Sequence, residues 1–284
     1  MYDPGQFPTL EPFVNGGLPQ NGNVERHLEA FEQDVLRVIP DRNYSGLAVI
    51  DFEHWRPVFR ENWSKLEPYR EESRRQVNSQ HLFWTKNQIE AEATRRFEAA
   101  SFAFFRKTLE RAKRLRGKAL WGYYSFPYCF NFNPKNPGMR CTQDVQEDND
   151  RSKWMWDTSD ALYPSVYFSE KDMTERKRAK LIQGRVQEGA RIASKKNKRL
   201  YVYTWFKYQD TREFVSQTDM RSNLIVPRKY GADGVIIWGS TKDVNTRQKC
   251  SQLLNYLRTV IGPAVRHLNT AKNFDSVSEE DNEV

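Results

Sequence analysis

The chain has 284 residues, 38% apolar and 13% aromatic, which is enough to bury a large α/β core. Charged residues reach 29% and no run of about 18 apolar residues occurs, which argues against a membrane-spanning chain. The net charge is +8, and because residues 269–284 carry one Lys and five acids (net −4), the rest carries +12, suited to a polyanionic partner.

"MYDPGQFPTL" has neither a basic n-region nor an apolar h-region, so no signal peptide is read in this chain. "YDPG" reads as the end of a strand running into a turn. Helical periodicity follows over Asn23–Ile39, then a short apolar run at Leu47–Ile50. The pattern then alternates. Helical stretches are expected over 56–79, 85–116, 174–196, 217–230 and 243–261, with strands at Ala119–Phe126, Leu162–Phe168, Leu200–Phe206 and Gly234–Trp238. Strand followed by helix, repeated, predicts a parallel sheet with crossover helices. A closed parallel barrel uses about eight strands, and a start on a strand's last residues suggests that the chain lacks its beginning. Residues 269–284 read as an acidic disordered tail.

The chemistry-bearing stretch is "LAVIDFEHWRP", Leu47–Pro57, where four apolar residues run into Asp51 and Glu53. On a strand, i and i+2 share a face, so the two acids should lie side by side. The spacing alone is weak, since Asp281 and Glu283 repeat it in the acidic tail. Setting strengthens it. Function collects at the C-terminal ends of parallel barrel strands, and there stand Tyr123, Tyr124, Tyr167, Tyr208 and Trp238. For any single Tyr, core packing is the plainer explanation, but the repetition suggests an aromatic sugar site.

Cys129 and Cys141 flank the turn-rich loop "CFNFNPKNPGMRC" and suit a short disulfide, leaving Cys250 unpaired. Four histidines, at 27, 54, 81 and 267, show no metal-ligand spacing, so no metal and no cofactor are expected. Asn43-Tyr-Ser and Asn62-Trp-Ser are candidate glycosylation sequons. The basic residues cluster as helix faces with no helix-turn-helix, zinc-finger or RNP pattern, so no nucleic-acid partner is expected, and the charged content with no long apolar run leaves no membrane expected.

Taken together, "VIDFEHWRP", "WGYYSFPYC", "ALYPSVYF", "YTWFKYQD" and "DGVIIWGS" resemble, in order and spacing, the signature segments of the hyaluronidases of glycoside hydrolase family 56, with insect venom forms the nearest likeness. The resemblance covers about residues 1–268. The related chitinases carry a longer D-x-x-D-x-D-x-E pattern, absent here because Leu47 and Val49 occupy those positions.

The resemblance implies an α/β fold, a distorted TIM-like (β/α) barrel over 1–268 that lacks the first strand and most of the second. It also implies a secreted protein, poor folding of the chain as it starts at Met1, and a lost partner for Cys250. It makes Glu53 the proton donor and Asp51 the acid that orients the substrate's acetamido group. Tyr124 and Tyr167 would hold that group, and Trp238 would wall its pocket. Arg56, Tyr208, Ser240, Tyr2 and Asp3 would lie on the substrate groove. The reaction implied is endo-hydrolysis of β-1,4 bonds in hyaluronan, with chondroitin as a second polymer, by a retaining route in which the acetamido group is the nucleophile. Of two adjacent carboxyls one keeps its proton, and Glu53 is expected to be that one. The competing readings are an impaired homologue that only binds the polymer or is an inert venom component, and a nucleic-acid binder resting on charge alone.

Overall fold

The structure, a computed structural model, describes residues 1–133 and 136–270, so residues 271–284 of the expected acidic tail, with the second D-x-E, lie outside the described residues. The chain forms two compact units, one comprising residues 1–124 and 150–161, the other residues 125–149 and those from 162 onward.

The first unit is built on two parallel strands, β1 (Leu47–Ile50) and β2 (Leu120–Tyr123), in register Leu47 to Leu120 and Ile50 to Tyr123. The expected strand end at the N-terminus is present as a parallel bridge between Tyr2 and Asp51. The Asp51 N–H donates to Met1 O and the Asp3 N–H to Asp51 O, each at 2.8 Å. Turn residues follow, with Asp3 at φ 39° and Gly5 at φ 76°.

Helices α1 (Val24–Val38), α2 (Glu67–Gln80) and α3 (Lys86–Leu115) cover this sheet. The buried side of α3, Ala93, Phe97, Ser101, Phe104, Phe105, Thr108, Leu109 and Ala112, follows the helical period that the sequence displays. Its two buried hydroxyls cost nothing unpaired, because Ser101 and Thr108 each donate to the carbonyl four residues back at 2.7 Å. Arg116, only 2% exposed, ties the ends of α1 and α3 by donating to Ile39 O. An aromatic core fills the interior. Phe7 stacks on Phe52 at 4.1 Å, and Trp55 packs against Phe97 and Phe105 at 5.8 and 5.4 Å.

The second unit has a sheet in the order β3 (Ala161–Leu162), β4 (Arg199–Trp205), β5 (Gly234–Trp238). Helices α4 (Gln143–Arg151) and α5 (Lys153–Thr158) come before it in the chain, α5 belonging to the first unit. On the second unit lie α6 (Glu175–Lys196), α7 (Gln217–Lys229), α8 (Arg247–Tyr256) and α9 (Gly262–Thr270). Gly184 in α6 permits close approach of the disulfide loop, since a Cβ there would sit 1.9 Å from Met139 O.

Several expected elements change shape. The helix read over 56–79 starts only at Glu67. Before it lie two short 3-10 turns, because Pro57 bars a helical approach and Asn62 holds the turn with its side chain. The strand read over Leu162–Phe168 is paired as a strand at Ala161–Leu162 alone, because Pro164 has no N–H to donate, though Ser165 still bridges Tyr203. The helix read over 243–261 is interrupted by a π turn at Leu257–Ile261, directly before Pro263, which cannot bond the carbonyl four residues back. Helices α4 and α5 were not expected. Their sequence "QDVQEDNDRSKWMWDT" joins a strongly polar stretch to a Trp-Met-Trp run too short for a helical period to show.

His27 is fully buried in the first unit. Its Nδ1 accepts from the Gln6 N–H at 3.0 Å, so Nε2 carries the proton and donates to Thr108 Oγ1 at 2.8 Å. Burial pushes its pKa down from 6.5 to about 3. Between these values the unfolded chain binds a proton that the folded chain refuses, so stability is full above about 6.5 and is lost as pH falls toward 3, by up to about 1.4 kcal/mol per pH unit. Melting followed by circular dichroism from pH 7 to 4 should show His27→Gln losing less stability on acidification than the parent. Parallel curves would contradict this account.

Candidate active site

Alternation holds through Glu53 at the end of β1 and is lost beyond it, where the chain leaves the strand. Phe52 and Trp55 are 3% and 1% exposed and enter the aromatic core, where Trp55 Nε1 donates to Pro8 O at 2.6 Å. Asp51 and Glu53, out of phase with Phe52, face the other way; Asp51 is half-buried and Glu53 is exposed. The Tyr124 N–H donates to Ile50 O at 2.9 Å, which brings Tyr124 level with Asp51, one residue past the last registered pair of β1 and β2. The structure therefore brings together Asp51, Glu53, Tyr124, Tyr2 and Asp3.

Three carboxyls in this corner repel one another. Asp51 is pushed up to about 7, first by burial and then by Glu53, while the terminal ammonium of Met1 pulls it down and Asp3 adds to the rise. Asp51 Oδ1 is buried without a hydrogen-bond partner, as a carboxylate should not be and a neutral acid can tolerate better. Glu53 is also raised, by desolvation and then Asp3, with Arg56 and His54 opposing. Although Glu53 touches solvent, it sits in a concave wall that limits its hydration. Glu53 was expected to keep the pair's proton. The largest elevation falls instead on Asp51, because Asp51 is the more enclosed of the two.

Glu53 opens on a groove of about 1130 Å³ within the first unit, lined also by Tyr2, His54, Lys65, Tyr69 and Arg75. Tyr2 is 74% exposed and its hydroxyl pKa is raised, chiefly by Asp3. His54 Nε2 lies 3.1 Å from Asp3 Oδ2 and shares the groove with Glu53, a participant that sequence reasoning missed although it directly follows Glu53. Arg56 lies over the Trp63 ring at 5.1 Å and donates to Glu61 O at 2.5 Å, so it stiffens the segment after the acid pair.

The second unit carries an aromatic cluster at the ends of its strands. Trp238 is 38% exposed, and its ring is 6.1 Å from Tyr167 and 5.3 Å from Trp205. Trp205 was not singled out from the sequence, though its place at the end of β4 was the available signal. Two expected groove residues are engaged in structural hydrogen bonds. Tyr208 is 2% exposed; its hydroxyl donates to Asp219 Oδ2 at 2.6 Å and accepts from the Ser216 N–H at 3.0 Å, so no surface remains to meet a polymer. Ser240 caps the turn that follows β5, its hydroxyl donating to Asp243 Oδ2 at 2.9 Å.

Cys129 and Cys141 form the expected disulfide, and Cys250 is an exposed free thiol. Asn43 is exposed, as a glycan acceptor must be. Asn62 is not. It is 0% exposed and its amide nitrogen donates to the carbonyls of Arg56, Val58 and Phe59 at 2.9, 3.1 and 3.2 Å, so that sequon shapes a turn and has no room for a sugar.

The sequence profile of the hyaluronidase family matches residues 3–279. The hyaluronidase of Apis mellifera is 42% identical over 284 residues, covering 96% of this chain and 74% of the relative. That of Polybia paulista is 42% identical over 272 residues, covering 92% and 94%. Among solved structures, bee venom hyaluronidase superposes with a TM-score of 0.91 at 44% identity, over 93% of this chain and 85% of that one. The bee enzyme in complex with a hyaluronic acid tetramer superposes at 0.89 with 43% identity. These matches give the fold class, a distorted TIM-like α/β barrel.

Two measurements test this geometry. The raised Asp51 favours the folded state below about pH 4 and loses that contribution as pH rises through about 7. Asp51→Asn should therefore gain about 1–3 kcal/mol over the parent near pH 7 and little near pH 4, read by urea titration at both values. Tyr208→Phe should cost about 1–3 kcal/mol by leaving Asp219 short of a buried donor, with turnover within about threefold of the parent. A stable Tyr208→Phe protein with collapsed turnover would return Tyr208 to the groove.

Proposed function

Because the chain belongs to the hyaluronidase family of glycoside hydrolases, we propose that it hydrolyses the β-1,4 bonds of hyaluronan by a retaining, substrate-assisted route. The observation that carries this reading is the Asp51–Glu53 pair, both raised at the end of β1, with Glu53 opening on a groove. A glycosidic oxygen is a poor leaving group until protonated, and an acid helps most when its pKa lies near the working pH. Glu53, the exposed member, donates its proton to that oxygen as the bond to C1 breaks. The substrate's acetamido oxygen attacks C1 from the other face and forms a cyclic intermediate with positive charge on its nitrogen. Asp51 accepts the N–H and stabilises this charge, and Tyr124 beside it hydrogen-bonds to the same group. Water then attacks C1, the ring opens, and Glu53 carboxylate takes the water's proton. Two displacements at C1 give retention.

The resemblance assigns the remaining acetamido contacts to Tyr167 and Trp238, and the aromatic cluster of the second unit supports that assignment by keeping Trp238 partly open. Tyr2, Asp3 and Arg56 would contribute to the groove. Hyaluronan as polymer is supported by the tetramer in the related bee structure and by the basic body of this chain, and chondroitin shares the needed acetamido group. A secreted location fits the Cys129–Cys141 disulfide, and Asn43 is the exposed sequon available for a glycan.

The test is Glu53→Gln. Loss of the general acid should lower kcat on hyaluronan by about 10²–10⁴-fold while KM changes little, since the amide keeps the shape of the groove. Turnover should be followed by reducing-end release and binding by affinity electrophoresis. Near-parental kcat in this variant would remove Glu53 from the mechanism.

A further inference from the structure

The five residues between α2 and α3, His81–Thr85, put apolar side chains where a soluble hairpin usually puts polar ones. Leu82 is 79% exposed, Phe83 99% and Trp84 38%. The turn is held in order. Trp84 stacks on His81 at 3.7 Å and 8°, and the Trp84 N–H donates to His81 O at 3.1 Å. Thr85 and Gln88 form a reciprocal cap that starts α3. An ordered turn that presents three consecutive large apolar side chains marks an interaction surface.

From this patch we infer that the α2–α3 tip docks on the surface of an anionic lipid membrane, Leu82 and Phe83 entering the headgroup boundary and Trp84 lying at its level. The area available argues for lipid over protein. At about 150–250 Å² for a large apolar side chain, the three residues expose roughly 400 Å², or about 800 Å² counted over both partners, short of the 1,000 Å² or more in total that a stable protein interface buries. A bilayer accepts so small a wedge end-on, and Trp is favoured at its interface. Charge is complementary. From Ser73 to Ile89 there is no acid, while Arg74, Arg75 and Lys86 are basic. Arg74 and Arg75 are ion-paired with Glu67, Glu90 and Glu72, and Lys86 has no ion pair among the described residues, so Lys86 is the cation open to a headgroup phosphate. A polysaccharide fits less well, because the Trp84 face that would carry a sugar ring is occupied by His81. No helix among the described residues is long and apolar enough to cross a membrane, which excludes spanning by helices there and leaves surface docking open.

The experiment is vesicle flotation of the full chain with phosphatidylcholine vesicles and with vesicles containing 30% phosphatidylserine. The parent should float with the anionic vesicles. The doubly substituted Leu82→Ser, Phe83→Ser protein should lose at least tenfold in partitioning while keeping its melting temperature and its hydrolysis of soluble hyaluronan. Lys86→Glu should weaken binding to the anionic vesicles and leave residual binding to phosphatidylcholine unchanged. Failure of the parent to float, or undiminished flotation of the double variant, overturns the proposal. So does the finding that the double substitution instead abolishes concentration-dependent dimerisation in sedimentation, or retention on immobilised hyaluronan.

Discussion

Burial of Phe52 and Trp55 governs the site. Both rings are driven into the aromatic core by apolar area, and Trp55 is fixed further by its bond to Pro8 O. With Phe52 between them anchored on one side, Asp51 and Glu53 have only the opposite side to occupy, and Trp55 turns into the core where the chain has left the strand. The hydrophobic effect thereby supplies the energy that holds two like charges together, a placement that electrostatics alone would reject. The cost appears as an Asp51 carboxyl that resists ionisation until about pH 7. Glu53 beside it is raised as well, and a carboxyl raised toward neutrality is a better proton donor.

The N-terminal residues serve the same corner. Met1 and Asp3 pair through the backbone with Asp51, and Asp3 then adds its own charge to the repulsion felt by Asp51 and Glu53. His54 faces Asp3 and moderates that charge. The second unit solves a different problem with buried charge. Arg178 and Asp219 pair at 2.8 Å with side chains 7% and 1% exposed, and the Tyr208 and Ser216 hydroxyls complete the carboxylate's bonds. Such a pair is tolerable only when every lone pair and donor is met, which is why Tyr208 belongs to this network and is unavailable to a substrate.

Much was legible in the sequence, for physical reasons that can be named. The strands at Leu47–Ile50 and Gly234–Trp238 and the helix near 85–116 declare themselves through period and composition, which depend on local geometry alone. The D-x-E pair was legible because a strand's two-residue repeat converts spacing into facing. The boundaries near Pro57, Pro164 and Pro263 were blurred because apolar periodicity runs through residues whose missing N–H stops the ladder. Helices α4 and α5 stayed hidden because α4 is almost wholly polar and α5, at six residues, is too short to show a period.

Sequence by itself determined the family, the alternation of strands and helices, the acid pair and the loop disulfide, because each rests on local spacing or on motifs read in order. Tertiary structure decided what depends on neighbours distant in the chain. It assigned the higher pKa to Asp51 through burial, and it added Asp3, 48 positions away in sequence, to the charges that raise it. It turned Tyr208 and Asn62 inward, since a hydroxyl or an amide looks the same in sequence whether its partners are water or buried backbone. It also left Leu82 and Phe83 outside, because burial is a property of what packs against a residue and no residue type carries that information alone.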